Sequence, residues 1–200
     1  PFPIIKCDLS VEADIVRAVA STVGVLGGID ILVNNAGIMQ ESPIESITAE
    51  HIDRHFAVNV RGMILVTREA LGHLGEGSRI INIASELAYL GRANASVYCA
   101  TKAAILGLTR AWARELAPSI LVNAVAPGPT DTSLLGYGTL SNAQKLLETA
   151  HPLGRIGKPE EIAGMAVALL AERFSSYVTG TTVAVDGGIA LYNWIPLPAG

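Results

Sequence analysis

Several common protein classes are excluded by what this sequence contains little of. Only two of its 200 residues are cysteines, too few for a disulfide framework, which favours a reducing cytoplasm. Fourteen lysines and arginines stand against 18 aspartates and glutamates, so we expect no binding of nucleic acid or of an anionic membrane. No apolar run approaches the roughly 20 residues of a membrane-spanning helix, and the N-terminus does not resemble a signal peptide.

Apolar residues and glycine are plentiful instead: half of the chain is hydrophobic, and 20 residues are glycines. Two hundred residues suit one domain with a sizeable core, so we predict a single domain over 1–200. Apolar runs predict strands at 3–9, 29–33, 80–84, 120–125 and 183–185. Longer patterned stretches predict helices at 10–26, 48–74, 98–116, 142–149 and 159–170. Because the two kinds of element alternate, we predict an α/β fold with a parallel sheet.

The most informative stretch runs from residue 80 to residue 106. Ser85 follows a buried strand, and Tyr98 and Lys102 are four apart on the next helix, so they share one face. A phenol beside an ammonium, with a hydroxyl at a strand end, suits proton transfer. We expect Lys102 to lower the pKa of Tyr98. Ser85 would hydrogen-bond the oxygen that gains or loses the proton.

Ser85 and the segment Tyr98-Cys99-Ala100-Thr101-Lys102 resemble the Ser…Tyr-x-x-x-Lys signature of short-chain dehydrogenases/reductases. The resemblance implies a Rossmann-like, doubly wound sheet and an oxidoreductase that uses NAD or NADP to interconvert a secondary alcohol and a ketone. It implies a small-molecule substrate, a homotetramer or homodimer, and catalysis by Asn59, Ser85, Tyr98 and Lys102. In that family the matching Asn59 opens its helix and helps hold a water chain to the lysine.

Further segments resemble the cofactor-binding positions of the same family. Asn34-Asn35-Ala36-Gly37 directly follows a strand, and its small residues let the backbone approach a flat ligand. Asp8 and the backbone amide of Leu9 match the adenine-contacting position. Pro127-Gly128-Pro129-Thr130-Asp131-Thr132 resembles the segment that contacts the nicotinamide amide and phosphate. The implied cofactor-binding residues are Asp8, Leu9, Asn35, Ala36, Gly37, Tyr98, Lys102, Pro127, Gly128, Thr130 and Thr132.

The chain departs from the family at its start, where no Gly-rich T-G-x-x-x-G-x-G turn occurs. We therefore expect an N-terminally truncated domain that lacks its first two strands and their helices, with about 50 more residues upstream in the working protein. The residues that decide between NAD and NADP would lie there. Two alternatives stay open: a non-catalytic truncated homologue that persists as an oligomer partner, and a nucleotide-sensing subunit without turnover.

The substrate stays open too, and the pocket is expected at 86–97 and 129–150. The C-terminal segments 187–192 and 199–200 resemble the tails of glucose 1-dehydrogenases, whereas the core is equally similar to 3-oxoacyl-acyl-carrier-protein reductases. Glu86 is expected to be one acid in a partly apolar pocket wall. The four histidines lack the spacing of a metal site, so we predict no metal and surface positions for all four. They are His51, His55, His73 and His151.

Overall fold

Four strands form one parallel sheet in the computed structural model, which describes residues 3–191. They are β1 (Ile31–Asn34), β2 (Ser78–Ile83), β3 (Ile120–Pro127) and β4 (Thr182–Val185), and they lie side by side in that order. The predicted parallel α/β sheet is thereby confirmed. Of the segments that resemble glucose 1-dehydrogenase tails, residues 192 and 199–200 lie outside the described residues.

Eight α-helices connect or flank these strands within residues 3–191. Their bounds are α1 (Glu12–Leu26), α2 (Ala49–Phe56), α3 (Met63–Leu71), α4 (Leu87–Leu90), α5 (Ser96–Leu116), α6 (Asn142–Glu148), α7 (Pro159–Leu170) and α8 (Glu172–Ser175). None of these helices is long and apolar enough to cross a membrane.

Alternation of side chains along β2 places helices on both faces of the sheet. Ile80 packs in a cluster with Ala70 of α3 and Ala113 of α5. The next residue, Ile81, faces the other side and packs against Leu169 of α7. A strand covered on both faces reads as a continuous apolar run, which is why β2 could be predicted from the sequence. The predicted doubly wound arrangement is confirmed.

The long helix predicted over 48–74 is interrupted. Thr48 does cap it, accepting a hydrogen bond from the His51 amide at 3.1 Å. Between α2 and α3, however, Ala57–Gly62 forms a π-helical turn, a feature often found at functional sites. A Cβ on Gly62 would lie 2.6 Å from the backbone oxygen of Leu9, so only glycine lets the chain around Leu9 pack on this turn.

The N-terminal segment differs from its prediction. Residues 3–9 form no strand, because strand structure needs a hydrogen-bonded neighbour and none of the described strands lies beside them. Ser10 does not cap α1; Val11 occupies that position. The backbone amide and hydroxyl of Ser10 instead donate to the carboxylate of Asp8, at 2.9 and 2.7 Å.

Candidate active site

The carboxyl ends of the four parallel strands lie at one edge of the sheet, and Ser85 follows one of them. In parallel α/β sheets, ligands bind outside this edge. Asn34 at the end of β1 is in register with Asn82 of β2. Two residues beyond β2, Ser85 is followed by Glu86, whose backbone amide donates to the Pro127 carbonyl at 3.0 Å. The ends of β2 and β3 are therefore joined directly beside Ser85.

Tyr98 and Lys102 lie in the first two turns of α5 and are both buried. The Lys102 ammonium lies 5.6 Å from the centre of the Tyr98 ring and donates to the Ile83 carbonyl at 2.8 Å. An ammonium has three protons to donate, and this is the one hydrogen bond that Lys102 makes within residues 3–191. Two protons are thus left for a ligand at the end of β2.

Asn59 is fully buried in the π-helical turn and fastens the segment that follows β1. Its Oδ1 accepts from the Ile38 amide at 2.8 Å, and its Nδ2 donates to the Ile38 carbonyl at 2.9 Å and to Thr101 Oγ1 at 3.1 Å. A Cβ on Gly37 would lie 3.3 Å from Asn59 Oδ1 and 3.6 Å from Lys102 Nζ. Asn59, Lys102 and Gly37 therefore meet at one point.

Ser85 is engaged by its neighbour Glu86. The Ser85 hydroxyl donates to Glu86 Oε2 at 2.6 Å, and the Leu87 amide donates to Ser85 Oγ at 3.2 Å. Both Ser85 and Glu86 are buried. Burial also raises the pKa of Glu86, and the hydrogen bond from Ser85 partly opposes that rise. From the sequence, Glu86 is expected only to be an acid of the pocket wall. Its position next to Ser85 was the one signal for the hydrogen bond between them.

Burial dominates the acidity of the tyrosine and the lysine. It raises the pKa of Tyr98 to about 12, and the charge of Glu86 adds to that rise. A hydrogen-bonding interaction with Ser85 partly opposes it. The short hydrogen bond of Ser85, however, goes to Glu86. Burial lowers the pKa of Lys102 to about 8, against the effect of Glu86. The expected fall in the pKa of Tyr98 does not occur in this geometry, because burial is the largest effect on the phenol.

The residues expected to bind cofactor divide into two sets. Near Lys102, Gly37 is followed by the fastened Ile38, and Asn35 and Ala36 are exposed. The buried Lys102 ammonium has protons that bond to no other group within residues 3–191, and it can donate them to the hydroxyls of a nicotinamide nucleotide. Gly37 lies beside it, where a larger side chain would crowd Asn59 and Lys102. Lys102 thus provides hydrogen-bond donors and Gly37 provides space, so both residues fit a bound nicotinamide nucleotide.

The side chains of the second set make no hydrogen bond to Tyr98 or Lys102 within the described residues. The Asp8 carboxylate is exposed and bonded to Ser10, and Leu9 packs on Gly62. Thr130 donates to the Gly128 carbonyl at 2.8 Å, and Thr132 is exposed. A Cβ on Gly128 would lie 2.6 Å from Asp186 Cα, so glycine here serves the close approach to the end of β4.

Two of the four histidines are not at the surface as predicted. His55 is fully buried: its Nε2 accepts from the Gln40 amide at 3.0 Å, and its Nδ1 faces the His51 carbonyl at 2.8 Å. This geometry assigns the neutral form with the proton on Nδ1. His151 is buried against the backbone of Gly187. In the described part of the chain, no group of three His, Cys, Asp or Glu residues is arranged to hold a metal ion.

Two side chains one helical turn apart, His55 and Asn59, thus fasten the same segment, residues 38–40, which follows β1. The sequence offered one signal for this arrangement. The two residues are four apart, which places both on the same helix face.

Comparison with known proteins gives a consistent result. Residues 1–190 match the family model described as Enoyl-(Acyl carrier protein) reductase. The chain is 39% identical to a sorbitol dehydrogenase of Cereibacter sphaeroides, over 96% of this chain and 78% of that protein. It is also 39% identical to a 3-oxoacyl-acyl-carrier-protein reductase of Thermotoga maritima, over 82% and 68% of the two chains. A short-chain dehydrogenase of Burkholderia cenocepacia, solved in complex with NADP, superposes with a TM-score of 0.84 at 34% identity, over 92% and 74%.

Proposed function

The chain belongs to the short-chain dehydrogenase/reductase family of NAD(P)-dependent oxidoreductases, and on that premise we propose that it interconverts a secondary alcohol and a ketone, with Tyr98 as acid and base. The observation that carries this proposal is the buried grouping of Tyr98, Lys102 and Ser85 at the carboxyl end of β2. A coenzyme of this kind supplies the hydride acceptor or donor. The chain's own residues manage the proton and the geometry.

In the oxidative direction the hydroxyl proton passes to the Tyr98 phenolate while the substrate carbon loses a hydride. In reduction the Tyr98 phenol returns a proton to the carbonyl oxygen. Because the pKa of Tyr98 is about 12 without ligands, an adjacent positive charge is needed to make the phenolate accessible near neutral pH. Lys102 provides that charge when protonated, and its two free protons would hold the ribose hydroxyls of the coenzyme.

Ser85 and Asn59 have different roles in this proposal. The Ser85 hydroxyl donates to Glu86 in this structure, and in this proposal it turns to the substrate oxygen and stabilises the charge that develops there. Asn59 is a positioning residue, because its hydrogen bonds go to Ile38 and Thr101 and it thereby fixes the backbone next to Gly37. We place the cofactor along Asn35, Ala36 and Gly37. Asp8, Leu9, Pro127, Gly128, Thr130 and Thr132 stay as proposed cofactor contacts through the family resemblance.

The experiment is a turnover assay of the purified protein with NAD⁺ or NADP⁺ and a panel that contains sorbitol, ribitol and cyclohexanol, with ethyl acetoacetate tested for reduction. The Y98F variant should lose about 10²- to 10⁴-fold in kcat, the usual contribution of a general acid or base. It should bind coenzyme as the unmodified protein does, measured by fluorescence titration.

Three other results would change the proposal. Near-normal turnover by Y98F would remove Tyr98 from the acid/base role. Coenzyme binding without turnover on any substrate would favour the nucleotide-sensing subunit. Failure to bind coenzyme at all would favour the non-catalytic homologue.

A homotetramer or homodimer is also proposed. Three apolar side chains of α2 and α3, Ile52, Phe56 and Ile64, are each more than one-third exposed. Burying such side chains between copies is favourable, at about 25 cal/mol per Å² of apolar surface. Light scattering on the purified protein gives the mass directly, and a monomer at micromolar concentration would contradict this part of the proposal.

A further inference from the structure

Glu86 is a buried carboxylate placed at the reacting groups, and the proposed proton transfer does not use it. Only 7% of the residue is exposed. Its backbone amide is held by the Pro127 carbonyl at 3.0 Å, and its Oε2 accepts the Ser85 hydroxyl at 2.6 Å. The main chain and the side chain are therefore both fixed, and a fixed buried acid is costly unless its acceptor capacity is used.

The hydrogen bond to Ser85 places the Glu86 carboxylate beside the reacting groups. Its charge acts on the phenol of Tyr98 and on the ammonium of Lys102, raising the pKa of both. A carboxylate that contacts Ser85 and influences both other groups borders the space where a substrate oxygen must lie.

The chain leaves part of the acceptor capacity of Glu86 unused. A carboxylate offers about four lone-pair sites. Ser85 is the one side chain within residues 3–191 that donates to it, and the backbone amides of Glu86 and Leu87 also act on it. Arg92, six residues further along the chain, is bonded instead to Glu148 at 2.8 Å and to Glu41 at 3.3 Å. Glu86 thus presents an acceptor, and a substrate group that bonds to it must carry a proton.

We propose that Glu86 is a specificity residue that accepts a hydrogen bond from a second hydroxyl group beside the reacting carbon. Polyols would then be preferred to monohydric alcohols and to 3-oxoacyl chains, which offer no donor there. This inference rests on the proposed function and names its substrate class. An ammonium group could also donate to Glu86, but it would bring a second cation close to Lys102, so the hydroxyl is favoured.

The test compares 1,2-cyclohexanediol with cyclohexanol, because this pair differs by one hydroxyl next to the reacting carbon. The unmodified enzyme should prefer the diol in kcat/KM by about 10- to 100-fold, the range for a hydrogen bond to a charged group. In E86L that ratio should fall to about one, because the acceptor is lost. Any effect of E86L on folding or on Ser85 lowers both rates together and cancels in the ratio.

Two further variants separate acceptor chemistry from charge and packing. E86Q keeps an acceptor oxygen and the shape of the side chain, so it should retain part of the preference for the diol. E148Q changes the buried acid that pairs with Arg92. Within residues 3–191 the Ser85 side chain bonds to Glu86 and Leu87 and not to Glu148, so this variant should leave the ratio unchanged.

An unmodified enzyme that oxidises cyclohexanol and the diol equally well would overturn the inference and leave the proposed function intact. A preference for 2-aminocyclohexanol over the diol would overturn the hydroxyl assignment in favour of an ammonium. A full preference for the diol in E86L would place the acceptor elsewhere. No turnover of either alcohol, and no reduction of cyclohexanone, would contradict the proposed function together with the inference.

Discussion

Two regions of the site are built in different ways. One region, here called the inner side, consists of Asn59 and Lys102, which bond to main-chain groups of Ile38 and Ile83. The other, here called the outer side, consists of side chains that bond to one another: Ser85 to Glu86, and Arg92 to Glu148. Main-chain groups are fixed by the sheet and the helices, whereas paired side chains can change partner. The inner side therefore suits the constant task of holding a coenzyme, and the outer side suits discrimination between substrates.

Replacing Lys102, on the inner side, should have the largest effect on turnover. K102M removes the charge that stabilises the phenolate and the protons proposed for the ribose, so kcat should fall by about 10²- to 10⁴-fold. The lowered pKa of Lys102 shows that burying its charge is unfavourable. Removing that charge should offset the loss of the hydrogen bond to the Ile83 carbonyl, so the urea midpoint should change little. A normal kcat in K102M would show that the inner side does not carry the chemistry.

Asn59 tests the same side through stability. N59L leaves the amide and the carbonyl of Ile38 without partners, and each buried unpaired group costs about 1–3 kcal/mol, so we expect a loss of about 2–4 kcal/mol in the free energy of unfolding. The matched outer-side variant is S85A, which should cost less because Glu86, whose pKa burial already raises, can take up a proton when this donor is lost. Urea denaturation of both variants gives the comparison. Equal losses would contradict the division into two sides.

The pH dependence of stability sharpens the comparison next. The folded pKa of Lys102, about 8, lies below its ordinary value of 10.5, so between these pH values the unfolded chain binds the proton and the folded chain does not. Its contribution to stability is present above pH 10.5 and is lost as the pH falls through about 8. Urea midpoints measured across this window should rise with pH, and K102M should lose that part of the slope. An identical slope in K102M would contradict the depressed pKa.

A smaller effect is the influence of Glu86, on the outer side, on the pKa of Lys102, on the inner side. Because Glu86 raises the pKa of Lys102, E86Q should move that pKa further below about 8. The chain has only four lysines, at positions 6, 102, 145 and 158, so heteronuclear NMR can follow the Lys102 ammonium. An unchanged or higher pKa in E86Q would separate the two sides.

E148Q should have the smallest effect. Its partner Arg92 is one-third exposed and also contacts Glu41, so loss of this ion pair should change kcat/KM less than tenfold for cyclohexanol and for 1,2-cyclohexanediol alike. Steady-state kinetics with both alcohols measure it. A selective loss for the diol would assign substrate recognition to Glu148 instead of Glu86.

Much of the fold could be predicted because its signals are local. The apolar run at 80–84 predicts a strand buried on both faces, and the helix observed at Ser96–Leu116 lies within two residues of its prediction. Tyr98 and Lys102 could be placed together because helical spacing alone determines it.

Features that depend on distant contacts could not be predicted. The π-helical turn that holds Asn59 packs on Leu9, some 50 positions earlier in the chain, and the burial of His55 depends on the amide of Gln40. The pKa of Tyr98 was expected to fall because the sequence shows the charge of Lys102 but not the burial of the phenol. Burial is the larger effect, and it raises this pKa. Residues 3–9 have the composition of a strand, but strand formation depends on a neighbour.

A double-mutant cycle on Ser85 and Tyr98 tests most directly whether the site acts as one unit. The turnover number kcat for cyclohexanol oxidation is measured in the unmodified enzyme, S85A, Y98F and the double variant. Residues that serve one proton transfer are strongly non-additive, so the double variant should be no slower than Y98F within about threefold. Losses that multiply in full would mean that Ser85 and Tyr98 act independently, and the proposed reaction centre would be wrong.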